Sequence, residues 1–264
     1  HFFEDSMSAT KVKQGLESLQ DSEKLNVLKY LLAAVSKGSA VDEFFPQVVK
    51  NVVTKNVELK KLVYMFLVHY ADHNDSCREL ALLSVNSFQN DLKDPTNQFI
   101  RGLALRVLTS IRVKDILSVQ IYSIRACVED SSPYVRRIAA TAICKMARSN
   151  SKNNNKIDDL IPLIKKLLMD NSTLVLGSIV SALNEALPHH YELIHEVFRK
   201  ICFLLVDFDE WTQIPVLELL TRYARHHFVD PTILLKKNKT NKKNKNGKNN
   251  NNNYNNSSSS SSSS

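Results

Sequence analysis

The sequence predicts an all-α solenoid, a stack of similar helix pairs, on three observations. Apolar residues recur at three- and four-residue steps from about Lys11 to Phe228, which is the period of an amphipathic helix. Only five glycines occur among the 264 residues, whereas β-rich folds and phosphate-cradling loops normally need more of this flexible residue. The same apolar face also recurs four times along the chain, which predicts repeated units.

Turn signals divide the apolar pattern into helices of roughly 12 to 18 residues, a usual length in globular proteins. The predicted breaks are Lys37-Gly38-Ser39, Asn74-Asp75-Ser76, Asp94-Pro95, Ser132-Pro133, 150–155, Asp170-Asn171 and 207–210. No segment of the sequence shows the sustained alternation of apolar and polar residues that indicates a strand.

The repeated face begins at four aligned residues that lie about 40 residues apart. Together with the residues four and eight positions further on, they are Leu59, Val63, Leu67; Ile100, Ala104, Leu108; Val135, Ala139, Ile143; and Val175, Ile179, Leu183. All twelve are apolar, in steps that keep one side of a helix facing the same way. Turns with helix-capping residues precede the last three units, at 94–95, 130–133 and 170–172.

A two-helix unit of this length is typical of HEAT and armadillo repeats. In such stacks each unit buries against its neighbours a face that it cannot bury alone, and the stack presents an extended binding surface. The alternative is an irregular helical bundle with accidental periodicity. We favour the HEAT/armadillo-like α-solenoid because the capping turn and the three apolar positions recur together.

The net charge of +8 comes almost entirely from the end of the sequence. Seven lysines and no acidic residue lie between Thr232 and Ser264, and the remaining 28 basic residues nearly balance the 27 acidic ones. A folded nucleic-acid-binding protein carries basic charge on its own surface, so we expect no nucleic-acid partner. We expect an α-solenoid over residues 1–235 and a disordered Lys/Asn/Ser-rich segment over 236–264, which has almost no apolar side chain to bury.

Catalytic signatures are missing from the sequence, which has no nucleophile elbow, Walker loop or dinucleotide fingerprint. His69 and His73 have a spacing that can bind a metal, but Tyr70 occupies the position where the zinc-protease motif has a glutamate. Asp72 and Asp75 can supply further ligands, which gives a metal-dependent enzyme as one hypothesis. Coincidence on a helix surface is the favoured interpretation, and we expect no enzymatic activity, metal or cofactor.

Five arginines form the main basic concentration of the repeats: Arg101, Arg106, Arg112, Arg136 and Arg137. One interpretation is a patch for acidic lipid headgroups or for an acidic strip of a partner. The favoured interpretation is pairing between repeats with Asp94, Glu129 and Asp130, because charges beside acid-bearing turns usually find those partners.

Two further positions carry expectations about packing. Gly102 and Gly177 share one repeat position, which Lys61 and Arg137 occupy in the other units, so this position is predicted to face solvent. The alternative is close contact with a neighbouring helix. Trp211, the only tryptophan, is predicted to pack between the last helices.

The four cysteines lie far apart in sequence, which indicates reduced thiols in a cytosolic protein.

A set of short segments matches one known family. They are 45–49 (FPQVV), 55–64 (KNVELKKLVY), 85–88 (VNSF), 94–95 (DP), 100–106 (IRGLALR), 111–113 (IRV) and 132–137 (SPYVRR). These segments resemble the N-terminal trunk of beta adaptins, which are large subunits of heterotetrameric vesicle-coat adaptors. The similarity covers about Leu25 to Pro231. Within the family, 110–113 (SIRV) and 220–225 (LTRYAR) look most like the beta subunit of adaptor protein complex 3.

The resemblance implies a non-enzymatic scaffold that supports cargo sorting and vesicle-mediated protein transport between Golgi or endosomes and lysosome-like organelles. Its expected partners are the second large adaptin and the medium and small subunits. Its expected location is the cytoplasmic face of Golgi and endosomal membranes and coated vesicles, where it is a peripheral component. Clathrin binding, which the family places in a later hinge and appendage, falls outside the matching segments. The alternative is a helical-repeat nuclear transport receptor, which the segment 58–64 speaks against.

An Arf-type small GTPase docks, in related beta trunks, on the helix that bears the Val-Asn-Ser-Phe motif. The resemblance carries this role to Leu82 and Val85, which match exposed apolar positions there. The competing interpretation is that both are core residues. Leu83 and Phe88 fit the buried face comparably well, and the sequence leaves the two alternatives open.

Overall fold

The computed structural model describes residues 7–149, 158–230 and 232, and this part contains α-helices and short 3-10 turns but no strand. The all-α prediction is confirmed. The helices are α1 (Ala9–Glu17), α2 (Asp21–Ser36), α3 (Phe45–Lys50), α4 (Val57–Tyr70), α5 (Asp75–Leu83), α6 (Val85–Asp91), α7 (Gln98–Leu108), α8 (Leu117–Val128), α9 (Pro133–Ser149), α10 (Ile161–Leu168), α11 (Thr173–Ala186), α12 (Phe198–Phe203) and α13 (Glu210–His227).

The predicted breaks separate helices in the structure, apart from the break at 150–155, which lies outside the described residues. The helices nevertheless run from 6 to 18 residues, so several are shorter than the sequence predicts. Part of the sequence that the apolar pattern predicts as helix forms short 3-10 turns instead. These turns are Asp42–Phe44, Asn51–Val53, Lys114–Ile116, Tyr191–Leu193 and Leu204–Asp207. Such turns are common next to α-helices.

Asparagine side chains begin three of the helices. The Oδ1 atoms of Asn56, Asn74 and Asn97 accept hydrogen bonds of 2.8 to 3.3 Å from backbone N–H groups in the first turns of α4, α5 and α7. These N–H groups have no partner within their own helix, and a side-chain cap satisfies them. The caps therefore fix where three of the repeat helices start.

The core lies between two layers of helices. In one layer α4, α7, α9 and α11 pack against each other in succession, and α6, α8 and α10 each pack against the next helix of that series. All twelve repeat positions are buried, with at most 3% of any side chain exposed. Because the same face is buried in every unit, the predicted α-solenoid is confirmed.

Gly102 and Gly177 are buried, so the prediction that their repeat position faces solvent is wrong for these two units, and the alternative of close helix contact is confirmed. A Cβ atom at Gly102 would lie 2.7 Å from Cε1 of Tyr134 on α9, and one at Gly177 would clash with Cγ2 of Thr212 on α13. The missing side chains let each helix approach its neighbour closely. Helical periodicity predicts which way a position points, but it does not predict how near the next helix comes.

Trp211 is 83% exposed, so the prediction that it packs between the last helices is wrong. Val216 is fully buried and marks the inward face of α13. Trp211 precedes Val216 by five residues, which turns its side chain about 140° away from that face at 100° per residue.

The chain divides into two compact units, residues 1–217 and 218–264. The first contains the solenoid. Of the second, residues 218–230 and 232 are described, mainly the end of α13. The boundary predicted between 235 and 236 and the predicted disorder of 236–264 lie outside the described residues. Within the ranges given above, no helix has the length and apolar character needed to cross a membrane.

Candidate partner-binding site

The residues that the family resemblance singles out for a partner lie where α5 meets α6. Ser84 separates the two helices, and its hydroxyl donates to the carbonyl oxygen of Leu80 at 3.4 Å. Leu82 and Val85 stand on either side of this junction, half-buried and packed against the core. Each therefore contacts the interior and keeps part of its side chain at the surface.

Leu83 is the most exposed apolar residue here, with 81% of its side chain accessible, so the prediction that it fits the buried face is wrong. The buried side of α5 carries Cys77 and Ala81, and Leu83 follows Ala81 by two residues, on the opposite side of the helix. Phe88 is fully buried, as predicted. We call Leu82, Leu83 and Val85 together the α5–α6 surface.

Asp91, the last residue of α6, connects α6 to α4. Its Oδ1 accepts from Lys60 Nζ at 2.8 Å, and its Oδ2 accepts from the Tyr64 hydroxyl at 2.6 Å. Burial raises the pKa of Tyr64 well above its ordinary value, and the hydrogen bond to Asp91 raises it further. The phenol therefore remains a donor, and α6 is held at a fixed position on α4.

The Lys60–Asp91 pair is the first of three ion pairs between successive repeats, which we call the inter-repeat ladder. The others are Arg101–Asp130, with N–O distances of 2.7 and 2.9 Å, and Arg136–Asp170, with distances of 2.6 and 3.1 Å. Each cation directly follows the first aligned residue of its unit, and each carboxylate lies shortly before the aligned residue of the next unit. The fourth unit has Leu176 at the cation position.

Pairing between repeats is confirmed for Arg101, which takes its predicted partner Asp130. Arg136 also pairs between repeats, but its partner is Asp170 and not one of the three predicted acids. Glu129 instead pairs with Lys166 at 2.5 Å. The ion pairs follow the order of the repeats, so each arginine reaches the turn that follows its own.

Hydrogen bonds hold Asp130 and Asp170, two of the three carboxylates of the ladder, in the charged form. Burial alone raises the pKa of Asp130, but hydrogen bonds from Arg101 and from the Ser132 N–H, together with the charge of Arg136, outweigh it and lower the pKa. The pKa of Asp170 is lowered in the same way, because hydrogen bonds from Arg136 and Ser172 outweigh the effect of burial.

The rings of His69 and His73 both contact Tyr70 in T-shaped arrangements, with ring centroids 4.7 and 5.4 Å from it. In the part of the chain that the structure describes, no group of three or more His, Cys, Asp or Glu residues is arranged to hold a metal ion. The candidate metal-dependent enzyme therefore gains no third ligand there. All four cysteines are free thiols, and three of them are buried.

Comparison with protein families gives the identity of the repeat stack. The family described as the adaptin N terminal region matches residues 4–255. The chain belongs to the adaptin family.

Individual relatives of this adaptin share about half of its residues. It is 50% identical over 234 residues to an "AP-3 complex subunit beta" of Dictyostelium discoideum, covering 87% of this chain and 20% of that protein. It is 48% identical over 230 residues to the human "AP-3 complex subunit beta-1", again covering 87% and 20%. The resemblance to AP-3 beta subunits is confirmed. The chain spans about one fifth of the length of these relatives.

Solved structures agree with this family and with the fold. A homology model of the full-length AP-3 complex in an intermediate open conformation matches with a TM-score of 0.61 and 28% identity, over 86% of this chain and 36% of that chain. A designed armadillo repeat protein in complex with a peptide matches with a TM-score of 0.57 and 15% identity, over 82% of this chain and all of the other. The second match supports the solenoid alone.

Proposed function

We propose that this adaptin is a non-enzymatic scaffold subunit of a heterotetrameric vesicle-coat adaptor. The observation that carries the proposal is the stack of buried repeat faces in a chain about half identical to AP-3 beta subunits. The stack offers helix faces to other proteins, and its partly buried ion pairs serve packing between repeats. Its role is to hold the second large adaptin and the medium and small subunits during cargo sorting.

The site of action that we propose is the cytoplasmic surface of Golgi and endosomal membranes, with transport directed toward lysosome-like organelles. The protein acts there as a peripheral coat component. Affinity purification of the full-length protein from its own cells tests the assembly. We expect a second large adaptin, a medium chain and a small chain in near-equal amounts. Their absence would contradict the proposal.

The α5–α6 surface is proposed to dock an Arf-type small GTPase through Leu82 and Val85. Two features support this role: both side chains keep part of their surface accessible, and Leu83 beside them adds an exposed apolar side chain. Exposed apolar patches on soluble proteins commonly mark interaction sites. The Lys60–Asp91–Tyr64 contacts keep the surface rigid on α4, so docking needs little rearrangement.

Charge substitutions on this surface test the docking. Leu82→Glu and Val85→Glu are expected to abolish GTP-dependent recruitment to membranes while leaving subunit assembly intact. Leu83→Glu tests the same surface at a position that is 81% exposed and carries little risk for folding. Tyr122→Glu, at a 65% exposed position on α8, is the matched control and should recruit normally.

The competing interpretation makes a different prediction. If Leu82→Glu and Val85→Glu prevent assembly while Leu83→Glu leaves recruitment unchanged, both residues serve the core and the GTPase proposal fails.

A further inference from the structure

A groove lined largely by basic side chains lies where the C-terminal ends of α4, α7 and α9 meet. It has a volume of about 780 Å³, within the range of small-molecule sites. The charged or titratable side chains that line it are His69, Asp72, His73, Arg112, Lys145 and Arg148. A second cavity of about 330 Å³ shares Arg112 and Lys145, so these two side chains stand at the border of both.

Asp72 is the acidic residue among those that line the groove, and other groups already neutralise it. Its Oδ1 accepts from Arg78 Nε at 2.8 Å and from the Arg112 N–H at 3.0 Å. Arg112 Nε lies 3.4 Å from its other oxygen. Arg148 is paired as well, because its guanidinium contacts Glu185 on α11.

Lys145 is the uncompensated cation of the groove. It is half-buried on α9, and no carboxylate among the described residues lies within ion-pairing distance of its Nζ. Burial lowers the pKa of its ammonium group, and the positive charges of Arg106 and Arg112 lower it further. Three cations from α7, the loop after α7 and α9 are thus crowded together, and a bound anion would relieve their repulsion.

Helix ends explain only part of this concentration of charge. Cations near a helix C-terminus are favoured by the partial negative charge of its free carbonyl groups. His69, Arg106 and Arg148 lie in the last turns of α4, α7 and α9 and fit that role. Arg112 lies in the loop beyond α7, where it pairs with Asp72, and Lys145 lies before the last turn of α9. Neither the helix ends nor a carboxylate therefore accounts for Lys145.

We propose that this groove binds a compact anion carrying two or more phosphate groups, with Arg112 and Lys145 contacting phosphate oxygens. A planar guanidinium can donate two parallel hydrogen bonds to a phosphate, and an ammonium group adds a concentrated point charge. The basic side chains that line the groove come from α4, the loop after α4, the loop after α7, and α9, and a ligand with several phosphate groups presents oxygens to more of them than a single phosphate does. The phosphates belong to either a soluble polyphosphate or a phosphorylated lipid headgroup.

Calorimetric titration with sodium tripolyphosphate tests the site, using the full-length protein together with the subunits that co-purify with it. Lys145→Gln and Arg112→Gln should each weaken binding about tenfold, the equivalent of one lost charge-assisted contact. Lys145→Arg keeps the charge and should retain most of the affinity. Arg125→Gln, which removes an exposed cation from α8 outside the groove, is the matched control and should bind like the wild type.

Vesicle sedimentation distinguishes the two sources of phosphate. Phosphatidylcholine vesicles with and without phosphatidylinositol bisphosphate are compared for the wild type and for Arg112→Gln. If the phosphorylated vesicles bind, tripolyphosphate competes and Arg112→Gln weakens both, the ligand is a headgroup. If tripolyphosphate binds in the same variant-dependent way and the vesicles do not, the ligand is soluble.

Two results would overturn the proposal. One is an equal loss of tripolyphosphate affinity in Arg125→Gln and Lys145→Gln, which would mean non-specific attraction by overall charge. The other is an unchanged affinity in Arg112→Gln, whose side chain is 78% exposed and whose replacement does not endanger folding if Lys145→Gln proves unstable. Subunit co-purification is unaffected in either case, so these results leave the scaffold proposal standing.

Discussion

Arg101 donates two hydrogen bonds to Asp130 in the next repeat, through Nε at 2.7 Å and Nη2 at 2.9 Å. Both side chains are only 12% exposed. A pair with this geometry is bidentate, and its members are held in low-dielectric surroundings where a lone charge is costly. The stability of the stack should therefore depend on both partners being present.

Replacement of Arg101 by methionine should lower the free energy of unfolding by about 2–4 kcal/mol, because Asp130 remains largely inaccessible to solvent without its partner. Urea denaturation followed by circular dichroism measures the effect. Lys29→Met removes a cation from the exposed Lys29–Glu58 pair and should cost less than about 1 kcal/mol. Equal losses of unfolding free energy in the two variants would mean that burial of the Arg101–Asp130 pair adds nothing to stability.

Acid should destabilise the fold through Asp130 and Asp170, whose pKa values are lowered in the folded state. Between the folded pKa and the unfolded pKa of about 3.9, the unfolded chain binds more protons, so stability is lost as the pH falls through this range. The midpoint of urea unfolding, measured between pH 2 and pH 6, should fall less steeply in Asp170→Asn than in the wild type. Parallel curves would contradict the assignment.

An alanine at Gly102 should destabilise the protein, although alanine normally stabilises a helix by about 1 kcal/mol relative to glycine. The new Cβ would lie 2.7 Å from Tyr134 Cε1, and the Tyr134 ring is packed against Phe99 with centroids 5.1 Å apart. Overpacking of this kind costs about 1–3 kcal/mol. Thermal unfolding compares Gly102→Ala with Lys61→Ala, which occupies the same repeat position in another unit. A higher melting temperature for Gly102→Ala would show that α9 can move away.

Removal of the Tyr64 hydroxyl should cost about 1.5–3 kcal/mol, because it donates to the charged Asp91 at 2.6 Å. Tyr64→Phe keeps the ring in the core, so the loss measured by urea denaturation reports the hydrogen bond. The raised pKa of Tyr64 also means that the folded state loses stability as the pH rises above the unfolded value of about 10. The loss of stability at alkaline pH should be smaller in Tyr64→Phe than in the wild type. An equal loss in the two proteins would contradict this prediction.

Sequence periodicity was sufficient to predict the solenoid, since a three-position apolar face repeated four times has few other ways to be buried. It also predicted that Phe88 is buried. It misplaced Leu83 because one helix ends at Leu83 and another begins at Val85, so the face that buries Phe88 in α6 does not continue into α5, whose buried side carries Cys77 and Ala81. Leu83 is the residue of the α5–α6 surface that sequence reasoning missed.

Contacts between repeats were harder to predict. The cations of the ladder occupy one repeat position in the sequence, but Arg136 was assigned to the wrong acids because the offset between successive units cannot be read from either unit alone. Gly102 and Gly177 were misinterpreted for a related reason: a position that faces outward in one helix faces a neighbour where the helices approach closely. The groove around Lys145 joins residues from three helix ends, and no local pattern marks it.

The inter-repeat ladder couples the local unfolding of successive repeats. Arg101 donates to the carbonyl oxygen of Asp94 in its own turn as well as to Asp130, and Arg136 donates to the carbonyl oxygen of Asp130 as well as to Asp170. Each guanidinium therefore forms hydrogen bonds in two consecutive repeats. Local unfolding of either repeat breaks bonds that also hold the other. Nearest-neighbour coupling of this kind makes an array cooperative. Slow amide exchange should extend across these repeats as one block, where independent units would fray one at a time.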